Sequence, residues 1–201
     1  MLIERYFPSE SVSSWTGPRQ STLVYENISF ILSANLVASG NGTTNVSIFK
    51  MSGSFDWNNH AYIAQGFTPP VTLEFNKWCA NLDNQRSYAM IGWNADPTTD
   101  PSYTSLDYAS YPFTQDRYEV YNNGTYINPV KTFDKLQKFY LSYNADGTIT
   151  HYNGSNLLYS INTGSTAQRF VDSSFHSVGA TFGGFSNLRV IKRSWNGTSY
   201  S

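Results

Sequence analysis

Residues 117–127, RYEVYNNGTYI, and residues 149–160, ITHYNGSNLLYS, each place Asn-Gly after a tyrosine in a run that alternates apolar and polar side chains. A two-residue hairpin loop needs positive φ at its central positions, and Asn-Gly adopts that at low steric cost. Tyr118, Val120, Tyr121, Tyr126 and Ile127 flank the first pair and suit a pleated surface. Between the two stretches Phe139, Leu141 and Tyr143 alternate with Lys138, Tyr140 and Ser142, and Asp146-Gly147 adds another turn signal. Residues 117 to 160 therefore predict an antiparallel meander with corners at Asn123-Gly124, Asp146-Gly147 and Asn153-Gly154.

The same pairs also have the form of glycosylation acceptors. Sequons stand at Asn27, Asn41, Asn45, Asn123, Asn153 and Asn196. With 19 Asn and 44 Ser plus Thr in 201 residues, chance alone gives about four. Six therefore reflect a surface rich in Asn, Ser and Thr. The opening MLIERYFPSESVS has neither a basic n-region nor an apolar h-region, so no N-terminal signal peptide is expected.

Hydrophobic residues at 40 % and aromatics at 16 % are ample for one core, and a single domain is expected at this length. Charged residues make up 13 %, about half the usual share. Solubility then rests on Asn, Ser, Thr and tyrosine hydroxyls, a style common at extracellular and virion surfaces. The net charge of −1 and the absence of a basic cluster beyond IKRS (191–194) exclude a nucleic-acid partner. The longest uncharged run, Asn27 to Phe49, is interrupted by SGNGTTN, so no membrane span is expected. Cys79 stands alone and forms no disulfide framework; a buried apolar role is expected for it.

Working outward, the runs STLVYENISFILSANLVAS, NVSIFKMSGS, AYIAQGF, VTLEFNKW, YAMIGWN and SVGATFGGFSNLRVIK read as strands separated by turn clusters. The one helical candidate, FDKLQKF (133–139), spans one or two turns at most. Short strands at this spacing predict an all-β sandwich or jelly roll. Residues 1–20 show no clean period yet carry Tyr6, Phe7 and Trp15. They read as an extended arm, lying either on a neighbour in an assembly or along the domain as its own first strand. Residues 21–192 are then the jelly roll, and 193–201 a short polar tail.

From residue 53 to 160, GSFDWNNHAYIAQGF, VTLEF, YAMIGWNADPTTDPSYTSLDYASYPF, YEVYNNGTYI and FYLSYNADGTITHYNGSNLLYS follow one another. In that order they resemble concanavalin-A-like (SPRY-like) jelly-roll domains of viral, phage and bacterial surface proteins. The resemblance implies a single sandwich of two antiparallel sheets with little helix. It also implies a surface setting: a virion or cell-surface structural or attachment component that meets other surface proteins through the arm. A sandwich of this kind also hosts lectins and glucanases.

A glucanase relative would place an acidic pair on one strand, because two carboxylates must flank one glycosidic bond. Glu74, Asp107 and Glu119 are instead isolated, so no enzyme site is expected. His60, His151 and His176 are far apart and are expected to cap turns or pack beside tyrosines. Calcium has one weak locus, the loop NADPTTDPSYTSLD with Asn94, Asp96, Asp100 and Asp107. Its spacing matches no calcium loop, and both Asp-Pro pairs initiate turns. Glycan recognition needs aromatic faces beside amides and hydroxyls. Trp57, Asn58, Asn59, Trp93, Asn94, Tyr103, Tyr108 and Tyr111 have that character. The alternative is that Trp57 and Trp93 belong to the sandwich core and the tyrosines to an edge.

Overall fold

The computed structural model describes residues 23–41, 44–78, 88–113, 117–176, 178 and 183–201. The arm with Tyr6, Phe7 and Trp15, and Cys79, lie outside the described residues. In chain order the strands are β1 (Phe30–Leu32), β2 (Leu36–Asn41), β3 (Thr44–Lys50), β4 (Asn59–Ile63) and β5 (Val71–Trp78). Then come β6 (Ala89–Asn94), β7 (Tyr108–Pro112), β8 (Arg117–Asn122), β9 (Thr125–Thr132) and β10 (Phe139–Tyr143). The chain finishes with β11 (Thr148–Asn153), β12 (Asn156–Asn162), β13 (Phe170–Phe175) and β14 (Gly184–Ile191).

These strands form two antiparallel seven-stranded sheets, which we call the tyrosine sheet and the hairpin sheet. The tyrosine sheet runs β1-β4-β13-β6-β7-β8-β9; the hairpin sheet runs β12-β11-β10-β5-β14-β3-β2. Among the described residues the only helical element is the 3-10 turn Tyr103–Ser105. The stretch 133–139 forms no helix: residues 134–138 are a turn in which Asp134 accepts the Leu136 N–H and its carbonyl takes the Gln137 N–H, and Phe139 begins β10. The all-β two-sheet sandwich expected from the strand spacing is present.

Period-two alternation divides each strand between two faces. Ile91, Trp93, Tyr118, Val120 and Val171 meet Leu73, Phe75, Phe139, Leu141 and Phe185 in the core between the sheets. Tyr118 stacks on Phe139 at 5.4 Å, and Trp93 donates from Nε1 to the Leu141 carbonyl at 3.1 Å. One polar chain crosses this core. Tyr118 Oη lies 2.6 Å from Ser110 Oγ and 2.8 Å from His151 Nδ1.

The two Asn-Gly stretches diverge. At the β8–β9 corner Asn123 has φ 46° and Gly124 φ 68°, and Asn122 pairs with Thr125. That is the two-residue loop with both residues left-handed. At the β11–β12 corner Asn153 pairs with Asn156, so the loop residues are Gly154 and Ser155. Asn153 is a strand residue and 3 % exposed. Its amide donates to the Asp134 carbonyl while its Oδ1 accepts the Asp134 N–H. These bonds leave no place for a glycan on the Asn153 amide in the folded chain.

Replacing Gly124 by Val is expected to cost about 1–3 kcal/mol, since a β-branched residue is forced to positive φ. Its Cβ would also stand 2.7 Å from the Thr104 Cα. An unchanged melting temperature would show that this corner is wrongly described.

The segment 193–201 is more than a tail. Ser194 and Ser201 exchange backbone hydrogen bonds, Trp195 bridges Tyr200, and the resulting hairpin lies on the outer face of the hairpin sheet.

Candidate functional site

A second, smaller cluster lies on the outer face of the tyrosine sheet. Met90, Ala109 and Tyr111 point there from β6 and β7, alternating with the core residues Ile91 and Tyr108. Leu106 folds over them from the 95–107 loop, and Trp57, Tyr88, Tyr103, Phe113 and Tyr121 pack around the rim, half-buried. The rings form a continuous field. Trp57 lies 5.1 Å from Tyr103, 5.9 Å from Tyr111 and 5.4 Å from His176. Tyr121 continues it, 5.6 Å from Tyr103, 6.0 Å from Tyr111 and 5.8 Å from Tyr126. Edge-to-face and tilted contacts are favoured geometries for aromatic pairs, and Trp57, Tyr103 and Tyr121 stay half-buried at the rim.

The ring positions are fixed by polar anchors beneath them. Lys50 is fully buried, and its ammonium donates to the Asp56 carbonyl and to Asn58 Oδ1, each at 2.9 Å. It also donates to the His176 carbonyl at 3.3 Å. One cation thus clamps the loop on both sides of Trp57 and ties it to the end of β13. Burial lowers the Lys50 pKa, opposed by the nearby Asp56 carboxylate. Tyr103 is positioned by the 3-10 turn, whose cap Ser102 accepts the Thr104 N–H. Tyr121 donates to Glu119 Oε2, and burial followed by the Glu119 charge pushes its phenol up to about 12. It therefore stays a protonated hydroxyl at neutral pH.

Of the eight residues expected to meet a glycan, Trp57, Tyr103 and Tyr111 come together here. The other five have different roles. Trp93 is 0 % exposed in the inter-sheet core, and Tyr108 is buried beneath the Arg169 guanidinium, 4.8 Å from its ring. Asn94 is fully buried and donates to Asp172 Oδ2 at 2.9 Å. Asn59 is buried, with its amide on the Ala34 carbonyl. Asn58 is exposed but holds Lys50 and Ser54. Alternation along β7 and β8 would have added Phe113 and Tyr121 to the field, because each shares a strand face with Tyr111 or Glu119. No pattern in the sequence distinguishes Lys50.

The acidic loop is organised as turns. Asp96 accepts the Thr99 hydroxyl, Asp100 accepts the Ser102 N–H, and Asp107 pairs with Arg169 and accepts the Ala95 N–H. Among the described residues no three His, Cys, Asp or Glu side chains are grouped to hold a metal. Adding EDTA is expected to leave the melting temperature unchanged; a fall of several degrees reversed by Ca²⁺ would make this loop a metal site.

The strand acids are also separated. Glu74 lies on the outer face of the hairpin sheet with Lys138, Arg189 and Tyr200, whereas Glu119 lies on the outer face of the tyrosine sheet with Arg117 and Tyr121. The sandwich core stands between them. Each histidine packs beside a tyrosine: His60 by Tyr62, His151 by Tyr118 and His176 by Tyr88.

No protein-family model matches the chain, and no curated protein matches it in sequence. Solved structures do share its fold. The SPRY domain of human HERC1 superposes with a TM-score of 0.52 at 13 % identity, covering 82 % of this chain and 99 % of that one. The exoplasmic/lumenal domain of VIP36, in its Ca²⁺/Man3GlcNAc-bound form, gives 0.50 at 10 % identity over 86 % of this chain and 91 % of that one. A structure of botulinum neurotoxin type C, whose cell entry is described as dependent upon interaction with two ganglioside molecules, gives 0.50 at 8 % identity. It covers 87 % of this chain and 48 % of that one. The chain has a concanavalin-A-like jelly-roll fold.

Proposed function

We propose that this chain is a non-enzymatic binding module whose outer aromatic field recognises glycans, acting as an attachment or structural component at a virion or cell surface. The observation that carries the reading is the rim of Trp57, Tyr103 and Tyr121 around a buried apolar patch, with hydroxyls at its edge. Pyranose rings present C–H faces to aromatic planes and hydroxyls to polar neighbours, so this is the chemistry such a rim fits. Support also comes from the same fold in the VIP36 domain bound to Man3GlcNAc and in the ganglioside-dependent neurotoxin. The separation of Glu74 from Glu119 speaks against a glycosidase, whose two carboxylates stand about 5–10 Å apart.

A glycan array with the full chain and with Trp57→Ala tests it. The expected result is binding to a restricted set of glycans that the variant loses by about tenfold or more, as for an aromatic anchor. A blank array, or equal binding by the variant, would overturn the reading. The surface setting has its own test. The protein should be found at a fixed copy number in purified particles or surface fractions, and its absence from both would remove that part.

A further inference from the structure

On the other side of the molecule an open cleft of about 380 Å³ is lined by Asn144, Asp146, Thr150, Tyr152, Trp195 and Asn196, among others. We infer that it is a second saccharide site, for a neutral hexopyranose unit, formed between the C-terminal hairpin and the β10–β11 turn. Its volume falls within the range of small-molecule sites.

Trp195 is held with little freedom. One face stacks on Tyr140 at 4.4 Å and 16°, and its Nε1 donates to the Gly154 carbonyl at 3.1 Å. Its backbone N–H donates to Ser142 Oγ at 3.0 Å, and the Thr72 hydroxyl takes up the Arg193 carbonyl. At the other end of the hairpin Tyr200 donates to Glu74 Oε2 at 3.0 Å. The turn closes through Asn196 Oδ1, which accepts from Thr198 and Ser199, and through Gly197 at φ 99°. A Cβ at Gly197 would press on Tyr152 at 3.1 Å, so the glycine lets the hairpin approach the second ring of the cleft. Rings fixed before a ligand arrives lose little entropy on binding.

The polar partners come from the facing turn. Asp146 Oδ1 accepts both the backbone N–H and the hydroxyl of Thr148, at 2.9 and 2.7 Å, which orients the exposed carboxylate. These bonds hold its pKa below the ordinary aspartate value, so the group is charged at neutral pH. The Asn144 amide donates to Thr148 and Thr150 hydroxyls, fixing the donor and acceptor sense of that wall. Aromatic planes set against an oriented carboxylate, an amide and hydroxyls offer a sugar both a C–H surface and acceptors for its hydroxyls.

The test uses the full chain carrying Trp57→Ala, so that the aromatic field of the other sheet does not contribute and the two readings fail separately. The probes are the methyl glycosides of glucose, galactose and mannose, read by saturation-transfer NMR. Saturation is expected to reach the ring protons of at least one of them. Adding Asp146→Asn, which keeps the turn, should weaken that binding about tenfold, the scale of a hydrogen bond to a charged group. Trp195→Ala should abolish it, and if that variant loses its thermal transition, Asp146→Asn decides alone. No transfer to any of the three sugars, transfer that survives Asp146→Asn, or preferential binding of tetramethylammonium would each overturn the inference.

Discussion

Between pH 4 and 6.5 the slope of stability against pH is expected to shift in opposite directions in His151→Leu and Asp172→Asn relative to the wild-type chain. Asp172 lies on the outer face of β13, 1 % exposed, with its oxygens on the Asn94 amide and the Ser173 N–H. Burial raises its pKa from 3.8 to about 7, those hydrogen bonds opposing and the Asp96 charge adding. The folded state therefore keeps a proton that the unfolded state releases. Its contribution is complete below pH 3.8 and is lost as pH rises to 7, about 4 kcal/mol in all.

His151 works the other way. Burial lowers its pKa from 6.5 to about 3. The unfolded chain takes up a proton that the folded one refuses, so stability is complete above pH 6.5 and falls as the solution is acidified toward 3. The total is about 5 kcal/mol. Where the windows overlap the two slopes oppose each other, with His60 and His176 on the side of His151. Removing His151 takes away its rise, so that over two pH units of increase the variant should lose roughly 3 kcal/mol relative to the wild-type chain. Removing Asp172 leaves the His151 slope, reinforced by His60 and His176, whose pKa values burial also lowers. Urea titrations across the window decide it. Two variants with the same pH profile would contradict both environments.

The second large effect is at the centre of the sandwich. Trp93→Ala is expected to cost about 3–5 kcal/mol, the range for removing a large aromatic from a core. Trp93 is 0 % exposed, packs at 6.2 Å from Phe67 and 6.4 Å from Tyr143, and its indole N–H is the partner of the Leu141 carbonyl across the sheets. Truncation leaves a cavity and removes the indole hydrogen bond between the sheets. Against a typical domain stability of about 5–15 kcal/mol, such a loss is a large fraction. The denaturation midpoint should fall with little change in slope; a loss under about 1 kcal/mol would place Trp93 outside the core.

Trp93 and Trp57 also show where reading the chain succeeds and where it stops. The hairpin at Asn123-Gly124 and the burial of Phe139, Leu141 and Tyr143 are legible because those strands alternate cleanly. In β6 and β7 every residue is buried, since one face meets the core and the other the aromatic field. Alternation then has no polar side to contrast with, and Trp93, Asn94 and Tyr108 look like surface aromatics and amides. Asn153 reads as a loop residue, yet the 134–138 turn depends on its amide. Trp195 sits in a polar stretch and gives no sign that Tyr140, 55 positions away, supplies its stacking partner. Lys50 resembles any surface lysine until two acceptors from the Trp57 loop and a third from His176 converge on it. Each of these depends on contacts distant in sequence, where local propensity carries no signal.

The most direct measurement of the central claim is amide and ring chemical-shift mapping of the full chain on addition of the best array glycan. The expected perturbations centre on Trp57, Tyr103 and Tyr121, with Met90 and Leu106 beneath them responding and the β2 and β3 region silent. Perturbations absent from that face, or confined to the loop of Asp96 and Asp100, would contradict the assignment of the aromatic field as the ligand site.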